Sequence, residues 1–214
     1  MLIPNTPELH AYLTAHTTPE LPVLAALRRE THLKVPMPQM LSGHLQGQLL
    51  QLISQMIRPQ KILEVGTYTG YSAICLCAGL AENGVLHTID INEELQEMQQ
   101  RYFAEANLQE KIKVHIGNAA DIIPDLNETF DLVFIDADKQ GYARYYDLII
   151  DKVRLGGIIL ADNALQEGKV LLPEKNANVQ AIDLFNKKVQ DDPRVQNLLL
   201  PLRDGIMIAV KTAK

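Results

Sequence analysis

Acidic and amide side chains follow two apolar runs of the sequence. Asp136, Asp138 and Lys139 come directly after the first run. Asp162 and Asn163 come directly after the second. Carboxylates and an amide, with no His or Cys beside them in sequence, form a hard oxygen donor set that suits Mg²⁺, Mn²⁺ or Ca²⁺ better than zinc. The same residues could instead cap helices or bind a cationic ligand, and their types alone leave both interpretations open.

A glycine turn with a carboxylate in front of it forms a second candidate site. Residues 61–72 have the pattern of a short buried strand, a turn at Gly66 and Gly70, and a helix start. The two glycines allow a tight turn close to a ligand, and the helix start offers free N–H groups. Glu64 is unusual, because a carboxylate inside a buried strand is costly without a partner. It predicts a cationic or hydrogen-bond-donating ligand and disfavours a phosphate.

Asp90 follows the next predicted strand, about 20 residues after the glycine turn. An acidic residue at this position can accept hydrogen bonds from both ribose hydroxyls of an adenosine cofactor. Dinucleotide folds use Gly-x-Gly-x-x-Gly to admit a pyrophosphate, whereas this turn is Glu-x-Gly-x-x-x-Gly. The turn therefore favours a nucleoside with a cationic amino-acid tail, S-adenosylmethionine, over NAD. Residues 117–120 leave room for an adenine ring and are equally compatible with a plain strand-to-helix turn.

These candidates must be positioned by alternating strands and helices, which begin at residue 61. The predicted strands are 61–65, 85–89, 112–116, 131–135 and 158–161, followed by a late pair at 195–200 and 206–210. Alternation of this kind predicts an α/β, Rossmann-like, doubly wound fold with a mainly parallel seven-stranded sheet and an antiparallel C-terminal edge hairpin. Ligands of such sheets bind outside the carboxyl ends of the strands. Five candidates fall at these ends: Glu64–Gly66, Asp90, Gly117–Ala120, Asp136 and Asp162–Asn163.

Helices are predicted between the strands and before them. Their ranges are 20–33, 42–57, 70–82, 93–106, 142–153 and 179–190, with a polar loop at 163–178. In the second helix an apolar stripe is expected to pack inward: Leu45, Leu49, Leu52, Ile53 and Met56. Residues 1–58 thus form an N-terminal helical cap, in which the loop ending at Met40 could close over a ligand.

Charge and composition limit the class of partner. The 214-residue chain carries a net charge of −6, which argues against a nucleic-acid or membrane-surface role. No apolar stretch is long enough for a membrane span, and residues 1–5 do not resemble the start of a signal peptide. Cys75 and Cys77 are expected to be buried small hydrophobes. We therefore expect a cytoplasmic protein.

Three segments in order resemble a known family. Glu64–Ser72, Phe134–Lys139 and Ala161–Asn163 are similar to motifs of the cation-dependent class I S-adenosylmethionine O-methyltransferases, the group of caffeoyl-CoA and catechol O-methyltransferases. The resemblance runs from Met40 to the C-terminus. It implies a single domain in which residues 59–214 are the methyltransferase part, and it suggests a homodimer.

The resemblance also implies roles for individual residues. Asp136, Asp162 and Asn163 match the metal ligands. Lys139 matches the proposed catalytic base, beside Asp136. Cofactor-binding positions are matched by Met40, Glu64, Gly66, Tyr68, Ser72, Asp90, Ala119, Asp136 and Asp138. The expected reaction is divalent-metal-dependent methyl transfer to a hydroxyl of a catechol-like phenol, free or CoA-linked.

The chain departs from the catechol branch at Asp138, where those enzymes place an aromatic residue. This polar residue favours the caffeoyl-CoA-like branch, although the 163–178 loop does not identify an acyl-CoA substrate. Alternatives are a methyltransferase acting on a non-catechol acceptor and an S-adenosylmethionine-binding protein without activity.

Overall fold

A seven-stranded sheet forms the centre of the computed structural model, which describes residues 6–213. The strands are β1 (Lys61–Val65), β2 (Val85–Asp90), β3 (Ile112–Ile116), β4 (Phe130–Ile135), β5 (Val153–Ala161), β6 (Val195–Leu200) and β7 (Ile206–Lys211). Their order is β3-β2-β1-β4-β5-β7-β6. The first five strands pair in parallel, and β7 pairs antiparallel with both β5 and β6. The predicted fold class is confirmed.

Eight α-helices accompany these strands within residues 6–213. They are α1 (Pro7–Ala15), α2 (Pro22–Lys34), α3 (Gly43–Ile57), α4 (Tyr71–Leu76), α5 (Gln96–Glu105), α6 (Ala119–Asp125), α7 (Tyr142–Ile150) and α8 (Ala177–Asp191). Side chains of β1 alternate between two cores, because Ile62 packs with α2–α5 and Leu63 packs with α6–α8. The sheet is thus covered on both faces, as its apolar strands require.

Two helices escaped sequence-based prediction because they are short. Thr6 caps α1 by accepting a hydrogen bond from the Leu9 N–H at 3.2 Å, and Pro7 occupies its first position. Asn118 caps α6 in the same way, accepting from the Ala120 N–H at 2.9 Å. Cap residues were the available signals, and the apolar pattern after each was too brief to predict a helix.

Strand β5 begins earlier than predicted. The helix predicted for 142–153 ends at Ile150, and β5 starts at Val153, so that the Gly156–Gly157 pair lies inside the strand. The pairing of β4 with β5 shifts register between Phe130 and Leu132, so the irregularity accommodates the extra residues. Lys211 contacts the boundary between α7 and β5, because its Nζ donates to the carbonyls of Ile150 and Val153 at 2.8 and 2.9 Å.

The predicted inward apolar stripe of α3 is wrong for two of its five members, while Leu45 and Leu49 are half-buried. Leu52 and Met56 are 53% and 75% exposed, and only Ile53 of the five is buried. The buried face also carries polar side chains, including Gln46 and Ser54, each 0% exposed. Ser54 donates to the Leu76 carbonyl, so hydrogen bonds select this face of the helix.

The predicted cap, 1–58, contains α1–α3 among its described residues, and its division from 59–214 stays a prediction. Residues 1–5, where the signal-peptide expectation falls, lie outside the described part. Among residues 6–213, no helix is both long and apolar enough to cross a membrane.

Candidate active site

The carboxyl ends of the parallel strands meet along one edge of the sheet. The Asp136 N–H donates to the Val65 carbonyl at 2.8 Å, and the Asp162 N–H donates to the Ile135 carbonyl at 2.9 Å. Gly66 adopts φ +102°, and a Cβ there would lie 1.9 Å from the Asp136 carbonyl oxygen. Only glycine allows this approach between neighbouring strand ends, which brings the predicted site segments together.

Glu64 is completely buried in β1 and has an incomplete set of partners. Its Oε2 accepts from the Thr88 hydroxyl at 2.6 Å, whereas Oε1 has no hydrogen-bond partner among residues 6–213. Burial raises the pKa of this carboxyl to about 8, the hydroxyls of Ser72 and Thr88 oppose the shift, and the nearby Asp136 and Asp90 carboxylates add to it. A buried acceptor oxygen without a donor fits a ligand that brings an ammonium or N–H group.

Asp90 has a structural role that the sequence pattern did not indicate. Its Oδ2 accepts from the N–H groups of Thr67 and Tyr68 at 2.9 and 2.7 Å, and Oδ1 accepts from the Asn92 N–H at 2.9 Å. The carboxylate therefore holds the glycine turn in place. Each carboxylate oxygen has about two acceptor positions, so Oδ1 keeps one for the predicted ribose contact.

Tyr68 connects the glycine turn to the loop that precedes α3. Its hydroxyl donates to the carbonyls of Pro36 and Met37 at 3.0 and 3.3 Å, and its own carbonyl accepts from Gln99 Nε2 at 2.7 Å. Met40 follows in the same loop and is 51% exposed. The loop is thereby held beside the turn.

Two further predicted cofactor positions lie in the first turns of helices that follow strand ends. Ser72 lies in α4 after the glycine turn and is 7% exposed. Ala119 begins α6 after Gly117, whose φ is +146°, and is 6% exposed. Both side chains are small, which leaves the backbone near the strand ends approachable.

Asp162 and Asp136 form a pair of like charges at neighbouring strand ends. Asp162 is 2% exposed, and burial together with the Asp136 carboxylate raises its pKa to about 6. Its Oδ2 accepts from Gln46 Nε2 at 2.8 Å, and Oδ1 accepts from the Asn163 N–H at 2.7 Å. Asn163 has φ +57°, a conformation that asparagine tolerates better than most residues.

Oxygen donors of this kind fit a divalent cation, because a positive charge would relieve the repulsion between the two carboxylates. No group of three or more His, Cys, Asp or Glu side chains that could hold a metal occurs within residues 6–213. A cation here would therefore depend on two carboxylates and the Asn163 amide oxygen, the set predicted from sequence.

Lys139 lies beside this acid pair. Its Nζ donates to Asp136 Oδ1 at 3.1 Å and to the Tyr142 hydroxyl at 2.8 Å, and its side chain is 16% exposed. The Tyr142 hydroxyl donates in turn to the Asp162 carbonyl at 3.0 Å. Asp138, the other predicted charge in this segment, is exposed and accepts from the Tyr145 hydroxyl.

Several residues of this region were not identified from the sequence. They are Gln46, Thr88, Gln99, Tyr142 and Arg203. Tyr142 had a usable signal, because a residue three positions after Lys139 shares its helical face. The others reach the site through contacts between distant parts of the chain.

Comparisons with known proteins identify the family of this chain. A sequence model of the O-methyltransferase family matches residues 14–212. A probable caffeoyl-CoA O-methyltransferase of Dictyostelium discoideum is 35% identical over 179 residues, which cover 80% of this chain and 78% of that protein. A catechol O-methyltransferase domain-containing protein of Mus musculus is 32% identical over 217 residues, which cover 99% of this chain and 82% of that protein.

A solved structure extends the similarity to three dimensions. The O-methyltransferase TomG of Streptomyces achromogenes, involved in tomaymycin synthesis and solved in complex with S-adenosylmethionine, has a TM-score of 0.90 and 28% identity. The match covers 96% of each chain. The chain therefore belongs to the O-methyltransferase family, within the class I S-adenosylmethionine-dependent enzymes.

Proposed function

We propose that this chain transfers a methyl group from S-adenosylmethionine to one hydroxyl of a catechol-like phenol, in the presence of a divalent cation. The observation that carries the proposal is one edge of the sheet that combines an acid pair, a lysine and a buried carboxylate oxygen without a hydrogen-bond partner among residues 6–213. The names of two relatives refer to caffeoyl-CoA and to catechol, which supports a vicinal dihydroxy phenol, free or CoA-linked, as the acceptor.

The cofactor would use the β1 and β2 ends of this edge. Glu64 Oε1 is free to accept from the amino group of the methionine tail. Asp90 retains an acceptor position for a ribose hydroxyl, while Gly66, Tyr68 and Ser72 form the turn and helix start beneath it. The small residue Ala119 would adjoin the adenine, and Met40 in the preceding loop would cover the cofactor. The exposed Asp138 would lie near the cofactor amine.

The acceptor would use the β4 and β5 ends. A divalent cation, when bound by Asp136, Asp162 and Asn163, would supply Lewis-acid polarisation and a template for two adjacent hydroxyls. A phenol with a pKa of about 10 is otherwise a poor nucleophile at neutral pH. The acid pair and the Asn163 amide would thus orient the phenol through the cation, because both hydroxyls would be held on one ion.

Lys139 would remove the phenolic proton. As a neutral amine its Nζ accepts that proton while the phenol oxygen attacks the methyl carbon from the side opposite the sulfur. The carbon–sulfur bond would break as the carbon–oxygen bond forms, which would give the methyl ether and S-adenosylhomocysteine. The Tyr142 hydroxyl holds Nζ at 2.8 Å, so the lysine has a defined position beside Asp136.

Methylation assays on 3,4-dihydroxyphenyl substrates test this function. Purified protein is incubated with S-adenosylmethionine and free or CoA-linked acceptors, in Mg²⁺ or in EDTA. We expect product with Mg²⁺ and none in EDTA, with cofactor binding preserved in both. Full activity in EDTA would remove the cation from the proposal, and absence of product on every vicinal diphenol would remove the acceptor class.

A homodimer is also part of the proposal. Helix α3 exposes Leu52 and Met56, which a second copy of the chain would cover. Light scattering on purified protein should give twice the mass of one chain, and a monomer at micromolar concentration would contradict this part. The cytoplasmic location stays a prediction.

A further inference from the structure

Gln46 has a buried side-chain amide, and both its nitrogen and its oxygen are hydrogen-bonded. It is 0% exposed, its Nε2 donates to Asp162 Oδ2 at 2.8 Å, and its Oε1 accepts from Arg203 Nη1 at 2.7 Å. These partners determine the amide orientation, because the reverse would place its oxygen against a carboxylate and its NH₂ against a guanidinium. A buried polar side chain with both partners satisfied holds them in a fixed relation.

Arg203 is the donor that binds the Gln46 side-chain oxygen. It lies in the turn between β6 and β7 with φ +50°, and Nη1 also donates to the Ser42 carbonyl before α3 at 2.6 Å. Nη1 is 3.9 Å from Asp162 Oδ2, close enough to offset part of the charge in the acid pair.

The same turn is also bonded to the segment that follows the predicted ligands. The N–H groups of Ala164 and Leu165 donate to the carbonyls of Gly205 and Asp204 at 2.9 and 2.8 Å. Helix α3, the end of β5 and the turn of the C-terminal hairpin are therefore linked at Asp162 and the residues that follow it.

We infer that Gln46 and Arg203 are positioning residues that hold the Asp162 carboxylate in the orientation needed to bind a divalent cation. The inference rests on the proposed function. Each Asp162 oxygen accepts one hydrogen bond from the protein and keeps its remaining acceptor position in a fixed direction. Without Gln46, repulsion from Asp136 would favour rotation of the carboxylate away from the shared site.

The test is Mn²⁺ affinity, measured by electron paramagnetic resonance in the absence of acceptor, for wild type and Gln46→Leu. We expect roughly 10- to 100-fold weaker Mn²⁺ binding in the variant, the usual cost of losing a partner of a metal ligand. Affinity for S-adenosylmethionine, measured by calorimetry, should be unchanged. Gln51→Leu is the matched control, because Gln51 is also a buried glutamine of α3 but lies beside Cys75; it should retain wild-type Mn²⁺ affinity.

Arg203→Gln supplies a second variant at a partly exposed turn position, in case Gln46→Leu does not fold. We expect weaker Mn²⁺ binding here too, and little further loss when the two substitutions are combined, because they act on one network. Wild-type Mn²⁺ affinity in either single variant would overturn the inference and leave the proposed function standing. Equal weakening by Gln51→Leu would also overturn it, by showing that any loosening of α3 suffices. A wild-type protein that binds no Mn²⁺ would overturn both the cation of the proposed function and the inference.

Discussion

The two ends of β4 carry aspartates in opposite circumstances. Asp131, at the amino end, accepts from the N–H groups of Gln60 and Lys61 at 2.7 and 2.9 Å and from the Arg154 guanidinium. Burial works against ionisation of Asp131, but these donors outweigh it and hold its pKa below the usual range. Asp136, just past the carboxyl end, is partly exposed and lies beside the buried carboxylate of Asp162.

This contrast extends along both edges of the sheet. At the amino edge Lys61 pairs with Glu128 at 2.8 Å, and Lys152 Nζ donates to the carbonyls of Pro124 and Leu126. At the carboxyl edge Glu64 keeps an oxygen without a partner among residues 6–213. Polar groups that are satisfied within the fold stabilise it, whereas unsatisfied ones are explained by a ligand. Equivalent substitutions at the two edges should therefore have opposite consequences.

Lysines at the two edges should give the largest difference. Lys139→Met should lower kcat about 10²- to 10⁴-fold, because it removes the proposed base, with KM nearly unchanged. Lys152→Met should leave kcat unchanged and lower the free energy of unfolding by about 1 kcal/mol, since two carbonyls lose a donor. Steady-state kinetics and denaturant unfolding measure both. A wild-type kcat for Lys139→Met would exclude this lysine as the base.

Glutamates at the two edges should differ in cofactor binding. With a pKa of about 8, Glu64 is mostly protonated at pH 7 in the free protein, and a cationic amine would favour its ionised form. Binding of S-adenosylmethionine should therefore release close to one proton, visible by calorimetry in buffers of different ionisation enthalpy.

Glu64→Gln should remove this proton release and weaken cofactor binding about 10- to 100-fold, the value of a hydrogen bond to a charged group. Glu128→Gln, the same change at the amino edge, should bind the cofactor as wild type does. Binding heats of wild type that do not depend on the buffer would show that Glu64 does not meet the cofactor amine.

His87 is the exception that sharpens the contrast, because it is a buried group on the Glu128 side that lacks a full set of partners. Its Nε2 has no hydrogen bond within residues 6–213 and lies 3.9 Å from Glu128, while its Nδ1 is 3.0 Å from the His115 ring. Burial and the neighbouring His115 lower its pKa to about 4. The unfolded chain, with a histidine pKa of about 6.5, then binds more protons than the folded protein below neutrality.

Stability that depends on neutral His87 should accordingly be lost as the pH falls. We expect a decrease of about 1 kcal/mol in the free energy of unfolding between about pH 7 and 5.5. His87→Gln should reduce this dependence and leave methyl transfer at pH 7 unchanged. The same slope in variant and wild type would assign the acid sensitivity to other groups.

Sequence reasoning succeeded where the chemistry was local. Asp90, Asp136 and Asp162 were placed at strand ends because each follows a short apolar run, and Glu64 because it precedes the glycine turn. The parallel topology brings such ends together. Lys139 is three residues from Asp136, so their contact at 3.1 Å was also accessible from spacing.

It failed where distant segments decide the outcome. The apolar residues of α3 suggested an inward stripe, but Gln46 faces inward because its partners are Asp162, 116 residues away in sequence, and Arg203, 157 residues away. Asp90 was assigned to the ligand alone, because the N–H groups that donate hydrogen bonds to it belong to the glycine turn. That turn is separated from Asp90 in sequence by helix α4 and most of β2. Hydrogen-bond partners of this kind leave no periodic signature.

The most direct test of the account compares Asp136→Asn with Asp131→Asn, the same change at the two ends of one strand. Methyl transfer and the free energy of unfolding are measured for both. Asp136→Asn should lose nearly all activity while remaining at least as stable as wild type, because it relieves the repulsion with Asp162. Asp131→Asn should keep its activity and lose roughly 1–3 kcal/mol of stability, because its charged hydrogen bonds weaken. Full activity in Asp136→Asn, or inactivity in Asp131→Asn with its fold intact, would contradict the assignment of function to the carboxyl edge.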